Sequence, residues 1–287
     1  MLDEATWRAR QAMHHERVEA WIGPHLERSR RGEKHPVHDF LFTYYSHRPS
    51  HLRRWHPGAG VGLAGSPPHA EWPDYGRDAD VVTVDVPAVL ARRGGAVEYF
   101  TTLLRATASR RPLFGCFGLH EWAMVYRAPE VRHESYPLRL PPADVAGVVE
   151  AAPLRCTHYD AFRFFTPEAV PRNTLQLTRE AMPAHEQGGC LHTNMDLYKV
   201  AYKLTPLVPS ELVGDCFELA RDIRELDMRA SPYDLADLGY PPVPVETDEG
   251  RQVYVAEQRA FADRATVLRA RLLDAIALAD NARPVIF

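Results

Sequence analysis

The sequence predicts a mainly α protein with a small β-sheet, an α+β fold. Two long segments in the C-terminal half repeat apolar residues at helical spacing, which predicts long core helices there. Another helical segment opens the chain, and only short stretches alternate as strands do. With 287 residues, of which 45% are hydrophobic, the chain can bury a sizeable core, and we expect a single globular domain over 1–287.

The N-terminal segment, residues 1–31, is predicted to form a peripheral helix from residue 3 onward. Trp7, Val18 and Ile22 recur in helical step within a polar surround, and Pro24 interrupts the pattern. Glycine and proline are frequent after residue 57, which places a loop or an internal boundary near residues 58–80. Residues 81–86 then alternate as a short strand does.

The middle of the chain is predicted to hold helices over residues 95–109 and 113–127. Residues 136–140, 142–151 and 155–165 follow with the patterns of a strand, a helix and a strand. A small sheet beside helices is therefore expected in this region.

The two long core helices come after residue 209. Ser210 is a suitable N-cap for the first of them, and the second carries apolar residues in helical step from Phe261 to Ala279. The segment Tyr240–Pro244 between them contains three prolines, which exclude a helix and predict a surface crossing.

The charge balance, the apolar runs and the cysteines of the chain each disfavour certain classes of protein. Lys and Arg total 34 against 38 Asp and Glu, so the chain has no overall positive charge for binding nucleic acid, although a local basic groove stays open. No signal peptide is recognisable, and no run approaches the roughly 20 apolar residues that span a membrane. We therefore expect a soluble cytoplasmic protein. The four cysteines lack a C-x-x-C pair, so we expect reduced, mostly buried thiols.

The segment 155–165 is the most informative, because it places four ionisable side chains among four aromatic rings. Desolvating that many charges is costly without a function. As a strand, the segment would direct His158 and Asp160 to one face, and Tyr159 and Arg163 to the other. It therefore predicts a pocket that contains a histidine and a carboxylate.

Two further segments carry candidate site residues. His120 and Glu121 fall on the apolar face of the helix predicted over 113–127, where desolvation would raise the pKa of the carboxyl group. The alternative is that one of them lies at the edge of the stripe while the other faces water. Gly188 and Gly189 permit a tight turn into the interior before His192 and Asp196, which are candidate ligand contacts.

Competing interpretations exist for several residues. Asn194 or Asp196 is a plausible helix cap, and capping alone would explain Asn194. Arg229 most simply forms an ion pair, with binding of a substrate anion as the alternative. The residues 60–65 match G-x-G-x-x-G, but prolines follow instead of a helix, which favours a loop over a nucleotide site.

A metal site is the second interpretation of the segment 155–165. His158-x-Asp160 resembles the first two ligands of a facial triad, which binds iron or another divalent metal. His192 would supply the second histidine, with His185 and His120 as the other candidates. The alternative is a hydrogen-bonded His and Asp that orient one another. No serine-hydrolase motif, P-loop or cysteine with an obvious histidine partner is recognisable.

Five strings carry a resemblance to a known family: FLFTYYSHRPSHLRRWHPG (40–58), GLHEWAMVYR (118–127), CTHYDAFRFFTPEA (156–169), CLHTNMDLYK (190–199) and LDMRASPYDL (226–235). They are similar to an actinobacterial protein family of comparable length that is labelled 3-methyladenine DNA glycosylase. The resemblance covers most of the chain and implies cleavage of a bond between a base and a sugar. Only residues 57–62 resemble the hairpin turn of helix-hairpin-helix glycosylases, so no catalytic residue is carried over.

The residues present fit hydrolysis of an N-glycosidic bond, which needs aromatic walls, a carboxylate and an acid. Asp160 is predicted to be the carboxylate, and His158 or Glu121 the proton donor. The predicted catalytic residues are Asp160, His158, Glu121 and His120. The predicted substrate-binding residues are Tyr159, Phe162, Arg163, Trp122, His192, Asn194, Asp196 and Arg229.

The expected partner is a nucleoside or another small heterocycle, or else DNA, with no cofactor and no membrane. The leading alternative is a metal-dependent oxidoreductase that binds iron or another divalent metal through His158, Asp160 and His192. A binding protein without turnover is the third hypothesis.

Overall fold

The computed structural model describes residues 1–129 and 136–281. Within them the chain is mainly helical with a small antiparallel sheet, which confirms the predicted fold class. No helix of this part of the chain has both the length and the apolar character that a membrane span requires.

The helices of the described residues, numbered in chain order, are α1 Glu4–Arg31, α2 Phe40–Tyr44, α3 Pro49–Leu52, α4 Val86–Ser109, α5 Leu119–Ala123, α6 Pro142–Glu150, α7 Tyr159–Phe162, α8 Met182–His185, α9 Leu191–Lys203, α10 Ser210–Arg229 and α11 Asp248–Asn281. The strands are β1 Leu63–Ala64, β2 Tyr75–Asp78 and β3 Val81–Val84, in the order β1-β3-β2. Both pairings are antiparallel, with Leu63 opposite Val82 and Tyr75 opposite Val84.

The chain divides into two compact units. The first unit comprises Met1–Leu104, Leu197–Glu218 and the described part of Val267–Phe287, and the second comprises Arg105–Asp196 and Leu219–Thr266. The sheet lies in the first unit, as does the whole of 58–80, where an internal boundary was predicted. The candidate site described below lies in the second unit.

The N-terminal helix is confirmed. Asp3 caps α1 by accepting a hydrogen bond from the Thr6 N–H at 2.8 Å, and Gly32 ends the helix in the left-handed region with a φ of 71°. Trp7, Val18 and Ile22 are fully buried, as their spacing predicts. The helix is therefore held by its apolar stripe in the core of the first unit.

Three further elements agree with the sequence. The strand predicted over 81–86 is β3, and the helix predicted over 142–151 is α6. The two long core helices are α10, which begins at Ser210, and α11. The helix predicted over 95–109 is also present, but it begins earlier, as α4 at Val86.

The strand predicted over 155–165 is wrong. Residues 155–165 contain no strand or bridge; the nearest bridge, between Leu154 and Asn173, lies just before the segment, and residues 159–162 form the short helix α7. The Asn173 amide takes the hydrogen bonds that a neighbouring strand would make, because its Oδ1 accepts from the Cys156 N–H and its Nδ2 donates to the Cys156 carbonyl. His158 and Asp160 consequently do not share the face of a strand.

Two other predictions in this region are also wrong. The helix expected over 113–127 shrinks to α5, because Phe117 and Gly118 adopt left-handed φ values of 50° and 72° that break the helical path. Among the residues that the structure describes, 136–140 contribute a single bridge, between Leu138 and Tyr233, in place of the predicted strand.

The cap predicted at Asn194 or Asp196 is wrong as well. Helix α9 begins at Leu191, which places both residues inside the helix. The Asn194 side chain instead donates from Nδ2 to the Gly188 carbonyl at 2.9 Å.

Asp39 makes the first unit sensitive to pH. It accepts hydrogen bonds from the Arg28 guanidinium, from Nδ1 of His25 at 2.9 Å and from the His35 N–H at 2.8 Å. Burial raises the pKa of Asp39, but the hydrogen bonds from Arg28 and His25 outweigh it and leave the pKa below its usual value. A carboxyl group with a lowered pKa stabilises the fold above its unfolded pKa of about 3.9 and loses that contribution as the pH falls.

Asp39→Asn is therefore expected to lower the free energy of unfolding by about 1 kcal/mol near neutral pH. The difference from the wild type should shrink as the pH falls below about 4, where the unfolded carboxylate becomes protonated, and should vanish once the pH passes the lowered pKa of the native carboxyl group. Urea titrations of the wild type and of Asp39→Asn, at neutral pH and below about pH 4, measure the difference in unfolding free energy. A difference that does not change with pH would contradict the role given to Asp39.

Candidate active site

A cavity of about 310 Å³ lies in the second unit. Its walls come from the segment before α5, from residues 155–157 and 174–175, from the start of α9 and from α11. The lining residues are Leu113, Phe114, Gly115, Cys116, His120, Arg155, Cys156, Thr157, Thr174, Leu175, Gln187, Cys190, Leu191, His192, Tyr254 and Gln258. The cavity therefore joins aromatic and aliphatic walls to thiols and imidazoles.

Cys116, His120 and Asp227 form a chain of contacts that begins at the cavity wall, and we call it the thiol triad. The Cys116 Sγ lies 3.6 Å from Nδ1 of His120, and Nε2 of the same ring lies 2.8 Å from Oδ1 of Asp227. Because an ionised carboxylate only accepts hydrogen bonds, Nε2 carries the hydrogen that it donates to Asp227. Nδ1 of a neutral His120 is therefore free of hydrogen and directed at the thiol.

The electrostatics of the triad favour proton transfer to His120. Burial lowers the pKa of His120, but the Asp227 carboxylate outweighs this effect and raises the pKa well above its usual value. Burial would raise the pKa of Asp227, yet the charge of His120 lowers it. A raised pKa means that His120, once it has taken the thiol proton, keeps it near neutral pH, so the pair is favoured as an imidazolium beside a thiolate.

Arg224 fixes the buried carboxylate. Its Nη1 donates to Oδ2 of Asp227 at 3.2 Å and to Oε1 of Glu121 at 3.1 Å, and all three side chains are buried. Burial and the charge of Asp227 raise the pKa of Glu121, while Arg224 opposes them. Glu121 is not among the residues that line the cavity, so its described contact is with the guanidinium that holds Asp227.

A second group of ionisable residues adjoins the triad through His192. The His192 ring lies 4.4 Å from that of His120, edge to face, and 5.5 Å from that of His158. Burial, with the charge of His120 next in size, lowers the pKa of His192 to about 3, so this imidazole is neutral. His158 in turn places Nε2 3.3 Å from Asp196 and 3.7 Å from Glu186.

The three thiols of the cavity are not equivalent. Burial raises the pKa of Cys156 well above its usual value and that of Cys190 to about 11. The Cys156 Sγ donates to the His158 carbonyl, whereas the Cys116 Sγ faces an imidazole. All four cysteines of the chain are free, as expected, although Cys116 and Cys190 are only partly buried. Cys116 therefore has the environment of a nucleophile.

Two glutamines of the cavity differ in their hydrogen bonding. Oε1 of Gln187 accepts from the Leu113 N–H at 2.8 Å and from the Gly189 N–H at 2.7 Å, and its Nε2 donates to the Leu113 carbonyl and to Thr157. Gln258 donates from Nε2 to the Gly189 carbonyl at 2.6 Å. Its Oε1, although buried, has no hydrogen-bond partner within the described residues. Gln258 thus offers a bound molecule an unused acceptor.

The glycine pair turns into the interior, as predicted, since both Gly188 and Gly189 are buried. A Cβ atom at Gly189 would lie 2.4 Å from the Leu113 carbonyl oxygen, closer than side chains tolerate. The close approach brings the start of α9 against the segment that leads to Cys116.

The structure brings together five residues that the sequence singled out: His120, Glu121, His158, His192 and Asp196. Asp160 is not among the residues that line the cavity, and it pairs with Arg163 at 3.2 Å. Arg163 is exposed and its guanidinium lies over Phe164. Asp160 therefore does not join His120 and His192 in the wall of the cavity.

The remaining predicted substrate contacts lie elsewhere in the second unit. Trp122 is fully buried and donates from Nε1 to the Ala230 carbonyl at 2.9 Å. Phe162 is buried against Phe165, and Tyr159 is partly buried. Arg229 donates to the Pro241 carbonyl at 3.0 Å and lies 3.7 Å from Glu225, in keeping with the ion-pair interpretation.

Sequence reasoning missed Cys116, Gln258, Arg224 and Asp227 as site residues. No cysteine has an obvious histidine partner in the sequence, but Cys116 contacts His120 in the structure. The four-residue spacing of these two side chains was the available signal. Nothing in the sequence connects His120 with Asp227, which lies 107 residues farther along the chain.

The triad overlaps a group with the composition of a metal site. One ligand atom from each of His120, His192 and Asp227 lies within 4.8 Å of the others. Imidazole nitrogen and carboxylate oxygen are ligands for several divalent metals. However, both oxygens of Asp227 already accept hydrogen bonds, one from His120 and one from Arg224.

Comparison of the chain with protein-family models, with curated proteins and with solved structures gave no match. The proposed function is therefore based on the residues that form the cavity.

Proposed function

We propose that the protein is a cysteine-dependent enzyme in which Cys116 is the nucleophile, His120 the general base and Asp227 the residue that orients His120. The observation that carries this proposal is the thiol triad, in which Sγ faces Nδ1 at 3.6 Å and Nε2 faces a carboxylate at 2.8 Å. A nucleophile, a base and an orienting group in this order define nucleophilic catalysis on many folds.

The proposed reaction is hydrolysis of a C–N bond at an sp² carbon. His120 takes the thiol proton, Sγ bonds to the carbon, and the departing nitrogen leaves with a proton from His120. Water then attacks the thioester-like intermediate, His120 accepts its proton, and the C–S bond breaks to restore the Cys116 thiol. No oxidant or reductant is needed.

The cavity favours a small, flat, nucleobase-like substrate that carries an N–H donor. Phe114 and Tyr254 supply aromatic walls, and about 310 Å³ is within the range of small-molecule sites. The free Oε1 of Gln258 suits an amide or amino hydrogen of such a ring. Hydrolysis of an N-glycosidic bond stays a prediction, but the lining contains no Asp or Glu among the described residues, which favours the thiol.

A reactive thiol also suits a reducing compartment. Since all four cysteines are free, we propose that the protein works in the cytoplasm.

Thiol alkylation tests the proposal without a known substrate. With iodoacetamide, we expect Cys116 to react at least about tenfold faster than Cys156 or Cys190, as followed by mass spectrometry of peptides. His120→Gln should slow the alkylation of Cys116 by about 10²-fold, because the proton acceptor is lost. His185→Gln changes a partly buried histidine elsewhere in the second unit and should leave the rate unchanged.

Turnover gives the second readout. Release of ammonia from amide- or amidine-bearing heterocycles should occur with the wild type and be lost in Cys116→Ala. Equal alkylation of the three thiols, or an unchanged rate in His120→Gln, would overturn the proposal.

A metal centre is the second candidate function, favoured by the proximity of His120, His192 and Asp227. A neutral His192 is a suitable ligand, and three thiols line the same cavity. Elemental analysis of protein purified without a polyhistidine tag discriminates the two candidates. Stoichiometric metal that is lost in His192→Ala would favour the metal centre over the free thiol.

A further inference from the structure

The first unit contains a cavity of its own, with a volume of about 420 Å³. It is lined by residues of the α2–α3 region, of β2, of α4 and of the segment that follows α9. Basic and imidazole side chains dominate the lining: His47, His51, Arg54, His56, Arg93 and Lys203. We call it the basic cavity.

The basic cavity has an excess of positive charge. Asp74, the carboxylate among its described lining residues, is already shared by Arg92 and Arg93, and Arg93 approaches it at 3.1 Å. Arg54 and Lys203 are exposed, and neither has a carboxylate partner within residues 1–129 and 136–281. Their cationic groups lie over aromatic rings, Arg54 over Trp72 at 5.9 Å and Lys203 over Tyr202 at 5.7 Å. Most other arginines of the first unit, such as Arg10 and Arg17, are paired with acidic residues. Cations that have no carboxylate partner attract an anion to a concave site.

Two histidines add neutral donors to these cations. Nδ1 of His47 lies 2.9 Å from the Tyr198 hydroxyl, and Nδ1 of His56 lies 2.9 Å from the Tyr75 hydroxyl. Burial lowers the pKa of both imidazoles to about 3 and raises the pKa of both phenols. The phenols stay protonated and can donate to Nδ1, an arrangement that leaves the hydrogen of each ring on Nε2.

One side of the basic cavity is aromatic. The His47 ring stacks on Tyr202 with centroids 4.5 Å apart and an interplanar angle of 5°, and Phe100 also lines the cavity. The volume lies within the range of sites for small organic molecules and exceeds what inorganic phosphate alone requires. The site therefore pairs an anion-binding side with a surface for a flat ring.

We propose that the basic cavity binds a small phosphomonoester whose phosphate contacts Arg54 and Lys203 and whose organic part lies against Tyr202 and Phe100. A guanidinium matches the oxygens of a phosphate, and an ammonium group supplies a second charge. This site lies in the first unit and involves no residue of the thiol triad. The proposal of a phosphomonoester site is therefore independent of the proposed cysteine chemistry.

Titration calorimetry at constant ionic strength tests the site with three probes: inorganic phosphate, a nucleoside monophosphate and the same nucleoside without phosphate. Binding is expected for the monophosphate and, more weakly, for phosphate, but not for the nucleoside. The double variant Arg54→Ala/Lys203→Ala should weaken binding of the monophosphate by at least about tenfold.

The matched control is Arg30→Ala/Lys34→Ala, which removes the same two charges from exposed positions at the end of α1 and just after it. This control should bind as the wild type does, and both double variants should unfold at the wild-type temperature without ligand. Equal weakening by the two double variants would show a general charge effect and overturn the site. Equal binding of the nucleoside with and without its phosphate, or no binding of any probe, would overturn it too.

Discussion

Asp227→Ala is expected to lower the free energy of unfolding by about 3–5 kcal/mol. The carboxylate is fully buried and holds two cationic partners, His120 at 2.8 Å and Arg224 at 3.2 Å. Removing it leaves a buried guanidinium whose other described carboxylate contact, Glu121, has a raised pKa. An unpaired buried charge costs far more than a lost surface pair.

Urea unfolding followed by tryptophan fluorescence measures the loss. Asp222→Ala is the matched control, because Asp222 lies on the same helix α10 and pairs with Arg264 at 2.9 Å, but at the surface. Its cost should be about 1 kcal/mol or less. If the two variants were equally stable, Asp227 would not be the anchor of a buried charge network.

Trp122→Ala is expected to lower the free energy of unfolding by about 3–5 kcal/mol, because the ring is fully buried and its removal leaves a cavity. The ring also has the Arg139 guanidinium 5.6 Å from its centroid. The sequence suggested that Trp122 stacks on a substrate, and the two roles predict different measurements. A core residue changes the unfolding free energy, whereas a stacking residue changes ligand affinity.

Trp122→Phe separates packing from hydrogen bonding. The smaller ring keeps most of the apolar contact but leaves the Ala230 carbonyl without its donor, for which we expect a cost of about 1–3 kcal/mol. A Trp122→Ala protein of wild-type stability would contradict the core assignment. Calorimetric unfolding of both variants provides the measurement.

The elements that could be predicted from the sequence are those with a long periodic pattern. Helices α1, α10 and α11 each bury an apolar stripe over many turns, so local spacing and burial agree. The segment 155–165 failed because its alternation is short and because one distant side chain, Asn173, satisfies the Cys156 backbone in place of a strand. The local sequence pattern does not show that a distant side chain takes the place of a neighbouring strand.

The candidate site was partly predictable for a similar reason. His120 and Glu121 stood out as ionisable residues on an apolar stripe, and both are buried as expected. Their partners Asp227 and Arg224 lie more than 100 residues away in the chain, and only the fold brings them together. The left-handed backbone at Phe117, which ends the predicted helix and leaves Cys116 at the cavity, is also invisible to periodicity.

The side chain of Gln187 restricts which residue can occupy its position. Its oxygen serves two backbone N–H groups while its nitrogen serves a carbonyl and a hydroxyl, so both ends of one amide are in use. A glutamate has the same shape but offers only acceptors when ionised, and a methionine offers neither function in useful strength. Replacement of Gln187 would therefore remove hydrogen bonds from both the segment before Cys116 and the turn before α9. This one side chain thus sets the distance between these two walls of the cavity.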